Sequence, residues 1–244
     1  MCGVSVRTEI IGDATLILGD ALEVLPTLSR ADALLTDPPY GIGESAGKAK
    51  TRTSGFSHKF RQEYRKDYGD DAWDDQPIDA DLMALVRAAG RWNIIFGGNY
   101  YDSPAASCWL IWDKLNGATD FADCEMAWTN LPKAVRRIRY LWNGALRANG
   151  ETRGDHPTQK PVGVMAWCLQ QLPKGTKTII DPFMGSGTTG VACAAAGLTF
   201  TGIEREEKYF DAACRRIAEE YAKPRLFTQA DEVLVQPSML EGLS

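Results

Sequence analysis

The chain has 244 residues, an apolar share of 44% and a formal net charge of −5 at pH 7, enough to build one sizeable core in a single α/β domain. It contains neither a signal-peptide apolar core nor a run of membrane-spanning length, so we expect a cytoplasmic protein without a membrane partner. Six cysteines without a C-x-x-C pair and two histidines argue against a zinc site, so we expect no metal.

The predicted elements alternate between strand and helix. They begin with a strand at Ala14–Leu18, a helix at Ala21–Leu28, a strand at Ala33–Thr36 and, after a long irregular stretch, a helix at Asp81–Ala89. Strands follow at 93–97, 108–112, 124–129 and 137–142. The last elements are a helix over 161–172, a strand over 178–181, a helix ended by Gly197, a strand over 199–203 and a helix over 206–221. This alternation predicts a mostly parallel sheet, with antiparallel pairing within residues 108–142.

The segment Asp37-Pro38-Pro39-Tyr40 follows the apolar strand at 33–36. Its carboxylate and a proline-fixed carbonyl can accept two hydrogens from one amino group, and a neighbouring aromatic ring can stack on the base that carries this group. These residue types favour methylation of an amino group. The same tetrapeptide also ends a strand and turns the chain well, so the motif alone leaves both interpretations open.

A glycine-rich turn, Pro182-Phe183-Met184-Gly185-Ser186-Gly187-Thr188-Thr189-Gly190, follows the strand that ends at Asp181. The glycines let the backbone approach a ligand closely, and the next strand leads to Glu204, whose carboxylate can bind ribose hydroxyls. The turn therefore predicts a nucleoside site. The G-x-G-x-x-G spacing also fits NAD, but Asp181 would repel a pyrophosphate and could bind the amino group of a methionine moiety.

Three motifs together resemble those of the S-adenosylmethionine-dependent DNA amino-methyltransferases: Asp37 to Tyr40, then His156-Pro157-Thr158-Gln159-Lys160-Pro161, then Asp181 to Gly190. The resemblance extends from about Ala14 to Ala222, and the motif order is similar to that of the circularly permuted beta group. It implies a Rossmann-like methyltransferase fold, with a mostly parallel twisted sheet, helices on both faces and an antiparallel edge, in one catalytic domain over residues 1–244.

The resemblance also implies residue roles. Asp37, Pro38, Pro39 and Tyr40 would form the catalytic site, with Tyr40 stacking on a base flipped out of duplex DNA. We expect S-adenosylmethionine, and S-adenosylhomocysteine as the product, to contact Asp20, Thr158, Lys160, Asp181, Phe183, Gly185, Ser186, Gly187, Thr188 and Glu204. Asp20 has a second interpretation, because Asp20-Ala21-Leu22-Glu23 is a capping box that would start a helix.

Basic residues are concentrated in two segments despite the negative net charge. Residues 44–76 are expected to be a mobile insertion with basic and acidic parts, and residues 133–155 a short target-recognition segment. The candidate DNA contacts are Lys48, Lys50, Arg52, Lys59, Arg61, Arg65, Lys66, Arg136, Arg137 and Arg139. Residues 223–244 are expected to form a C-terminal tail.

The predicted function is methyl transfer from S-adenosylmethionine to the N6 amino group of adenine in double-stranded DNA, because an Asp at the first motif position is typical of adenine enzymes in the family it resembles. Cytosine-N4 methylation, an NAD-dependent enzyme and a catalytically silent nucleic-acid-binding module are the alternatives. The sequence leaves open the recognition sequence, a homodimer and a partner restriction endonuclease.

Overall fold

The structure is a computed structural model that describes residues 7–40, 78–115, 122–143, 146–147 and 159–224. The predictions for residues 44–76, for Thr158 and for residues 225–244 of the tail lie outside this part of the chain. Of the predicted target-recognition segment at 133–155, residues 133–143 and 146–147 are described.

Strands make up most of the regular structure around the predicted motifs. They are β1 (Arg7–Ile11), β2 (Ala14–Leu18), β3 (Ala31–Thr36), β4 (Gly90–Phe96), β5 (Trp109–Asp113), β6 (Cys124–Thr129), β7 (Arg136–Arg139), β8 (Trp142–Asn143), β9 (Leu146–Arg147), β10 (Thr178–Asp181) and β11 (Thr199–Glu204). The helices are α1 (Ala21–Val24), α2 (Ala80–Ala89), α3 (Val162–Gln171), α4 (Thr188–Ala196) and α5 (Glu207–Tyr221). None of these helices has both the length and the apolar character needed to cross a membrane.

Nine of the strands form one sheet in the order β1-β2-β11-β10-β3-β4-β6-β5-β7. Each neighbouring pair from β2 to β4 is parallel, while β6 runs antiparallel to both β4 and β5. The predicted parallel sheet with an antiparallel edge is therefore confirmed. The order also makes β3 and β10, which carry the two predicted motifs, direct neighbours at the centre of the sheet.

Helices cover both faces of the sheet, as predicted. On one face, α3, α4 and α5 pack against alternate strand residues such as Leu35 and Phe200. On the other face, α1 and α2 pack against the intervening residues such as Leu34 and Ile203. Because successive strand side chains point to opposite faces, each central strand contributes to both apolar layers, which explains its nearly continuous apolar sequence.

Several element boundaries differ from the sequence prediction. The sequence predicts a first helix that reaches Leu28, but the α-helix ends at Val24 and a 3-10 turn over Leu25–Thr27, which contains Pro26, replaces its last part. Strand β1, which pairs antiparallel with β2, was not predicted from the sequence. At the other edge β7 is parallel to β5, whereas the sequence predicts antiparallel pairing throughout that region.

Candidate active site

Asp181 connects the glycine turn to Thr36, the residue before the predicted catalytic motif. Its Oδ1 accepts hydrogen bonds from Thr36 Oγ1 at 2.6 Å and from the backbone N–H of Phe183 at 3.1 Å, while Oδ2 accepts one from Thr189 Oγ1 at 2.7 Å. Burial raises the pKa of the Asp181 carboxyl to about 6. Because three protein donors already hold this carboxylate, a ligand amino group, which the sequence predicts as its partner, would have to share those oxygens.

Asp37 lies just beyond the carboxyl end of β3 and has protein donors on both oxygens. The Tyr40 hydroxyl donates to Oδ1, and the Lys160 ammonium donates to Oδ2 at 2.6 Å. Burial raises the pKa of the Asp37 carboxyl above its usual value, although the Lys160 charge opposes this. The sequence predicts that Lys160 contacts a cofactor, and the structure adds this direct contact with the predicted catalytic motif.

Lys160 lies between two carboxylates. Its ammonium is 2.9 Å from Glu125 Oε2 on β6, and Glu125 Oε1 is 2.5 Å from the Lys114 ammonium. Burial would raise the pKa of Glu125, but the two lysines lower it to about 2. Burial likewise disfavours the Lys160 charge, but Asp37 and Glu125 hold the pKa of Lys160 above its usual value. Glu125 and Lys160 are therefore both charged at neutral pH.

The Tyr40 ring belongs to a small aromatic surface next to Asp37. It stacks on Tyr100, with ring centroids 4.9 Å apart and planes 20° apart, and meets the edge of Tyr101 at 6.4 Å. Tyr100 is 49% exposed, so this surface extends to solvent. The Tyr101 hydroxyl donates to the Pro39 carbonyl and lies 3.3 Å from the Pro38 carbonyl oxygen, which fixes the turn that carries both carbonyls.

Glu204 ends β11 beside the glycine turn. Its Oε2 accepts a hydrogen bond from the Gly185 N–H at 2.9 Å, and its Oε1 accepts one from the Glu206 N–H at 2.8 Å. Burial raises the pKa of Glu204 to about 7, although these two backbone donors oppose the shift. Each carboxylate oxygen has a second lone pair, so the arrangement fits a nucleoside whose ribose hydroxyls donate to Glu204.

The middle of the glycine turn faces the protein rather than an open space. Gly187 has a φ of +78°, and a β-carbon there would lie 2.8 Å from Cβ of Ala213 on α5. Arg216 on the same helix donates to the Ser186 carbonyl and lies 3.2 Å from Thr188 Oγ1. These contacts hold the turn against α5, while Ser186 Oγ also lies 3.5 Å from Gln159 Oε1. The predicted cofactor contacts of Ser186, Gly187 and Thr188 stay predictions.

The remaining predicted residues lie on the same edge of the sheet. Asp20 is the N-cap of α1 and accepts a hydrogen bond from the Leu22 N–H at 2.8 Å, while the neighbouring Gly19 N–H donates to the Glu204 carbonyl at 2.9 Å. The capping interpretation of Asp20 is thus confirmed. Because Asp20 also lies beside Glu204, its contact with a cofactor stays a prediction. Phe183 is half-buried and packs against the apolar layer that contains Ile203.

Arginines on the outermost strand, β7, provide an exposed basic edge. Arg136, Arg137 and Arg139 are exposed, and the last two lie 3.9 and 3.4 Å from Asp113 Oδ2. Because β5 and β7 run in the same direction as β3, the carboxyl end of this basic strand points toward the same edge as Asp37. In the described part of the chain, His, Cys, Asp and Glu side chains form no group of three that could hold a metal ion.

Sequence reasoning missed Glu125, Lys114, Tyr101 and Arg216. A glutamate inside the otherwise uncharged strand Cys124–Thr129 was the available signal for Glu125, since a charge in such a position usually has a partner when buried. Its partners, Lys114 and Lys160, were not identifiable, because they come from two separate parts of the chain.

A comparison with protein families matches residues 118–215 to the N6_N4_Mtase model, described as a DNA methylase. The type II methyltransferase M.HinfI of Haemophilus influenzae is 26% identical over 86% of this chain and 70% of its own. The type II methyltransferase M2.LlaDCHI of Lactococcus lactis subsp. cremoris is 37% identical over 34% of this chain, and the match spans 31% of that relative.

Among solved structures, the chain is similar in fold to the M1.HpyAVI–SAM complex. The superposition has a TM-score of 0.53 with 23% sequence identity, and covers 83% of this chain and 99% of the other. The likeness confirms the predicted methyltransferase-type fold.

Proposed function

We propose that the chain is an S-adenosylmethionine-dependent DNA amino-methyltransferase that methylates the N6 amino group of adenine in duplex DNA. The match of residues 118–215 to the DNA methylase model and the similarity to two type II methyltransferases support this assignment. The observation that carries this proposal is the hydrogen bond between Thr36 and Asp181. It joins β3, which leads to Asp37, to β10, which leads to the glycine turn, so a base site and a nucleoside site would share one edge of the sheet. Such an edge, at the carboxyl ends of parallel strands, is where α/β proteins bind ligands.

In this proposal Asp37 and the Pro38 carbonyl accept the two hydrogens of the target amino group. Tyr40 and Lys160 each occupy one site on the Asp37 carboxylate, which has about four lone-pair sites in all. The carboxylate is therefore held in one orientation while acceptor sites remain for the amino group. Tyr101 holds the Pro38–Pro39 turn in the same way, so both acceptors are preorganised.

Glu204 and the Gly185 backbone are the residues that would hold the nucleoside part of S-adenosylmethionine. When bound, this cofactor supplies a methyl group on a cationic sulfur. Because that sulfur is a good leaving group, no strong base is needed to activate the amine. The residues of the chain contribute alignment: the aromatic surface of Tyr40 fixes the plane of the base, and Asp37 fixes the direction of its amino group. The amino nitrogen loses its proton as or after it bonds to the methyl carbon.

The adenine assignment is tested by the product. We expect the purified protein, incubated with duplex DNA and S-adenosylmethionine, to yield N6-methyladenine in mass spectrometry of the digested nucleosides. Asp37→Ala is expected to lose nearly all of this activity while binding S-adenosylhomocysteine much as the parent protein does. N4-methylcytosine as the product would overturn the base assignment and leave the reaction class intact, whereas the absence of either product would overturn the proposed reaction.

The NAD-dependent alternative is tested separately. Thermal unfolding of the protein with S-adenosylhomocysteine or with NAD compares the two ligands directly, since a ligand that binds the folded state raises the unfolding temperature. We expect stabilisation by S-adenosylhomocysteine. A larger shift with NAD would restore the dehydrogenase interpretation.

A further inference from the structure

Four charged side chains form a continuous chain of ion pairs beside the proposed base site. In order they are Lys114, Glu125, Lys160 and Asp37, with nitrogen-to-oxygen distances of 2.5, 2.9 and 2.6 Å. Lys160 in the middle is 7% exposed, and the side chains of the other three are 18–24% exposed. We call this set the ion-pair chain. It carries two positive and two negative charges and is therefore electrically neutral.

The antiparallel edge of the sheet places Glu125 in this chain. Glu125 on β6 is opposite Trp112 of β5, and the Lys114 N–H donates to the Asp123 carbonyl at 2.9 Å, which extends the pairing by one step. Lys114 thus reaches Glu125 from the neighbouring strand, while Lys160 reaches it from the segment before α3. Glu125 is a rigid strand residue, whereas Asp37, at the far end of the ion-pair chain, lies in a turn.

Glu125 competes with Asp37 for the electrostatic interaction with Lys160. With Glu125 present, the Lys160 ammonium interacts with two carboxylates, so Asp37 carries part of that interaction and remains an acceptor for other donors. Without the negative charge of Glu125, the whole Lys160 charge would act on Asp37, and the ion-pair chain would gain a net charge of +1. A buried net charge is poorly screened and acts strongly on any other charge that enters the site.

We propose that Glu125 is a positioning residue that shares Lys160 with Asp37 and keeps the base site neutral toward a cationic methyl donor. The proposal rests on the proposed function, because transfer of a methyl group from sulfur to an amine held by Asp37 requires the sulfonium to approach this ion-pair chain. S-adenosylhomocysteine, the product, has a neutral sulfur. The charge of Glu125 should therefore affect the affinity for S-adenosylmethionine more than the affinity for S-adenosylhomocysteine.

Glu125→Gln tests the proposal, because it removes the charge and keeps the size of the side chain. We expect the affinity for S-adenosylmethionine, measured by calorimetry, to fall on the order of tenfold more than the affinity for S-adenosylhomocysteine. Asp123→Asn is the matched control: it makes the same charge change at an exposed position close to β6, and it should leave the ratio of the two affinities unchanged. An equal loss of affinity for both ligands would show a structural role, and unchanged affinities would show no role in binding. Either result would overturn the proposal.

Lys114→Gln gives a second, independent test should Glu125→Gln fail to fold. It makes the ion-pair chain net negative, so the affinity for S-adenosylmethionine should rise relative to that for S-adenosylhomocysteine, by several-fold. A ratio that falls or stays constant would contradict the proposed charge balance. Both tests measure binding, so their outcome is independent of DNA methylation by the parent protein, whose absence would instead overturn the proposed function itself.

Discussion

A β-carbon on Gly97 would collide with Cε1 of the Tyr40 ring. Gly97 also has a φ of +67°, so both its backbone conformation and the neighbouring ring require glycine. The residue follows β4, next to the strand that carries Asp37, and its missing side chain provides the space that the Tyr40 ring occupies. The position of the proposed stacking residue is thus set by a glycine on the adjacent strand.

Gly97→Ala is expected to displace Tyr40 and to reduce methylation by about tenfold or more, in line with the roughly 1–3 kcal/mol that base–aromatic stacking contributes. Gly197→Ala is the matched control, because Gly197 has a φ of +68° and, apart from the adjoining backbone, no part of the described protein lies within 4 Å of the place where its β-carbon would be. Both variants should lose about 1–2 kcal/mol of folding free energy from the left-handed backbone. Rate assays and thermal unfolding measure the two effects, and equal activities of the variants would contradict the role given to Gly97.

Binding of S-adenosylhomocysteine is expected to release protons near neutral pH. The pKa of Glu204 is about 7 in the free protein, and ribose hydroxyls that donate to its carboxylate favour the charged form and lower that pKa. Affinity should therefore rise with pH up to about pH 7 and level off above it. Calorimetry in buffers of different ionisation enthalpy measures the released protons. Glu204→Gln should abolish this release and weaken binding about tenfold or more. If the variant released as many protons as the parent protein, the ribose would not bind at Glu204.

Asp181 is expected to make the folded state less stable as the pH rises. Its folded pKa of about 6 lies above the ordinary carboxyl value, so the folded state binds the proton more tightly, and this stabilisation is lost as the pH rises through about 6. From about pH 5 to pH 8 the loss should be about 1–2 kcal/mol. Denaturant unfolding of the parent protein and of Asp181→Asn, which cannot titrate, isolates the contribution. The stability difference between the two should change with pH in this direction; a constant difference would contradict it.

The exposed arginines of β7 are expected to contact the DNA backbone. Arg137→Ala and Arg139→Ala should each weaken DNA binding. The negative slope of log affinity against log salt concentration should become less steep by about 0.9 for each phosphate that the variant no longer neutralises. Arg215→Ala, an equal charge change at an exposed position on α5, should leave the slope unchanged. Binding isotherms at several salt concentrations provide the measurement. Equal slopes for all three variants would exclude β7 as a phosphate-binding strand.

The sequence predicted the parts of the site that follow directly from one strand. Asp37 comes just after an apolar strand and Glu204 ends one. Since parallel strands end at the same edge of a sheet, their placement at one edge follows from the alternation of elements. Gly197 was also predicted correctly, because a left-handed residue with no side chain is a common end for a helix.

Contacts between distant segments could not be predicted in this way. The pairing of Glu125 with Lys160 depends on the register of β6 and on the path of the chain before α3, and neither leaves a periodic pattern. Gly187 shows a different difficulty: a glycine in a turn signals a close neighbour, but the pattern does not say whether that neighbour is a ligand or, as here, the helix carrying Ala213.

The strand order has a consequence for how the chain folds. β2 and β3 are close in sequence, yet β11 and β10 lie between them in the sheet, and both of these come from the far end of the described chain. During synthesis the ribosome therefore releases two separate sheet fragments that cannot join until the glycine-turn unit inserts between them. Such long-range pairing slows folding and leaves strand edges unpaired in the meantime. Completing the sheet also brings Asp181 to Thr36, so the proposed nucleoside site and the proposed base site are joined only once the sheet is complete.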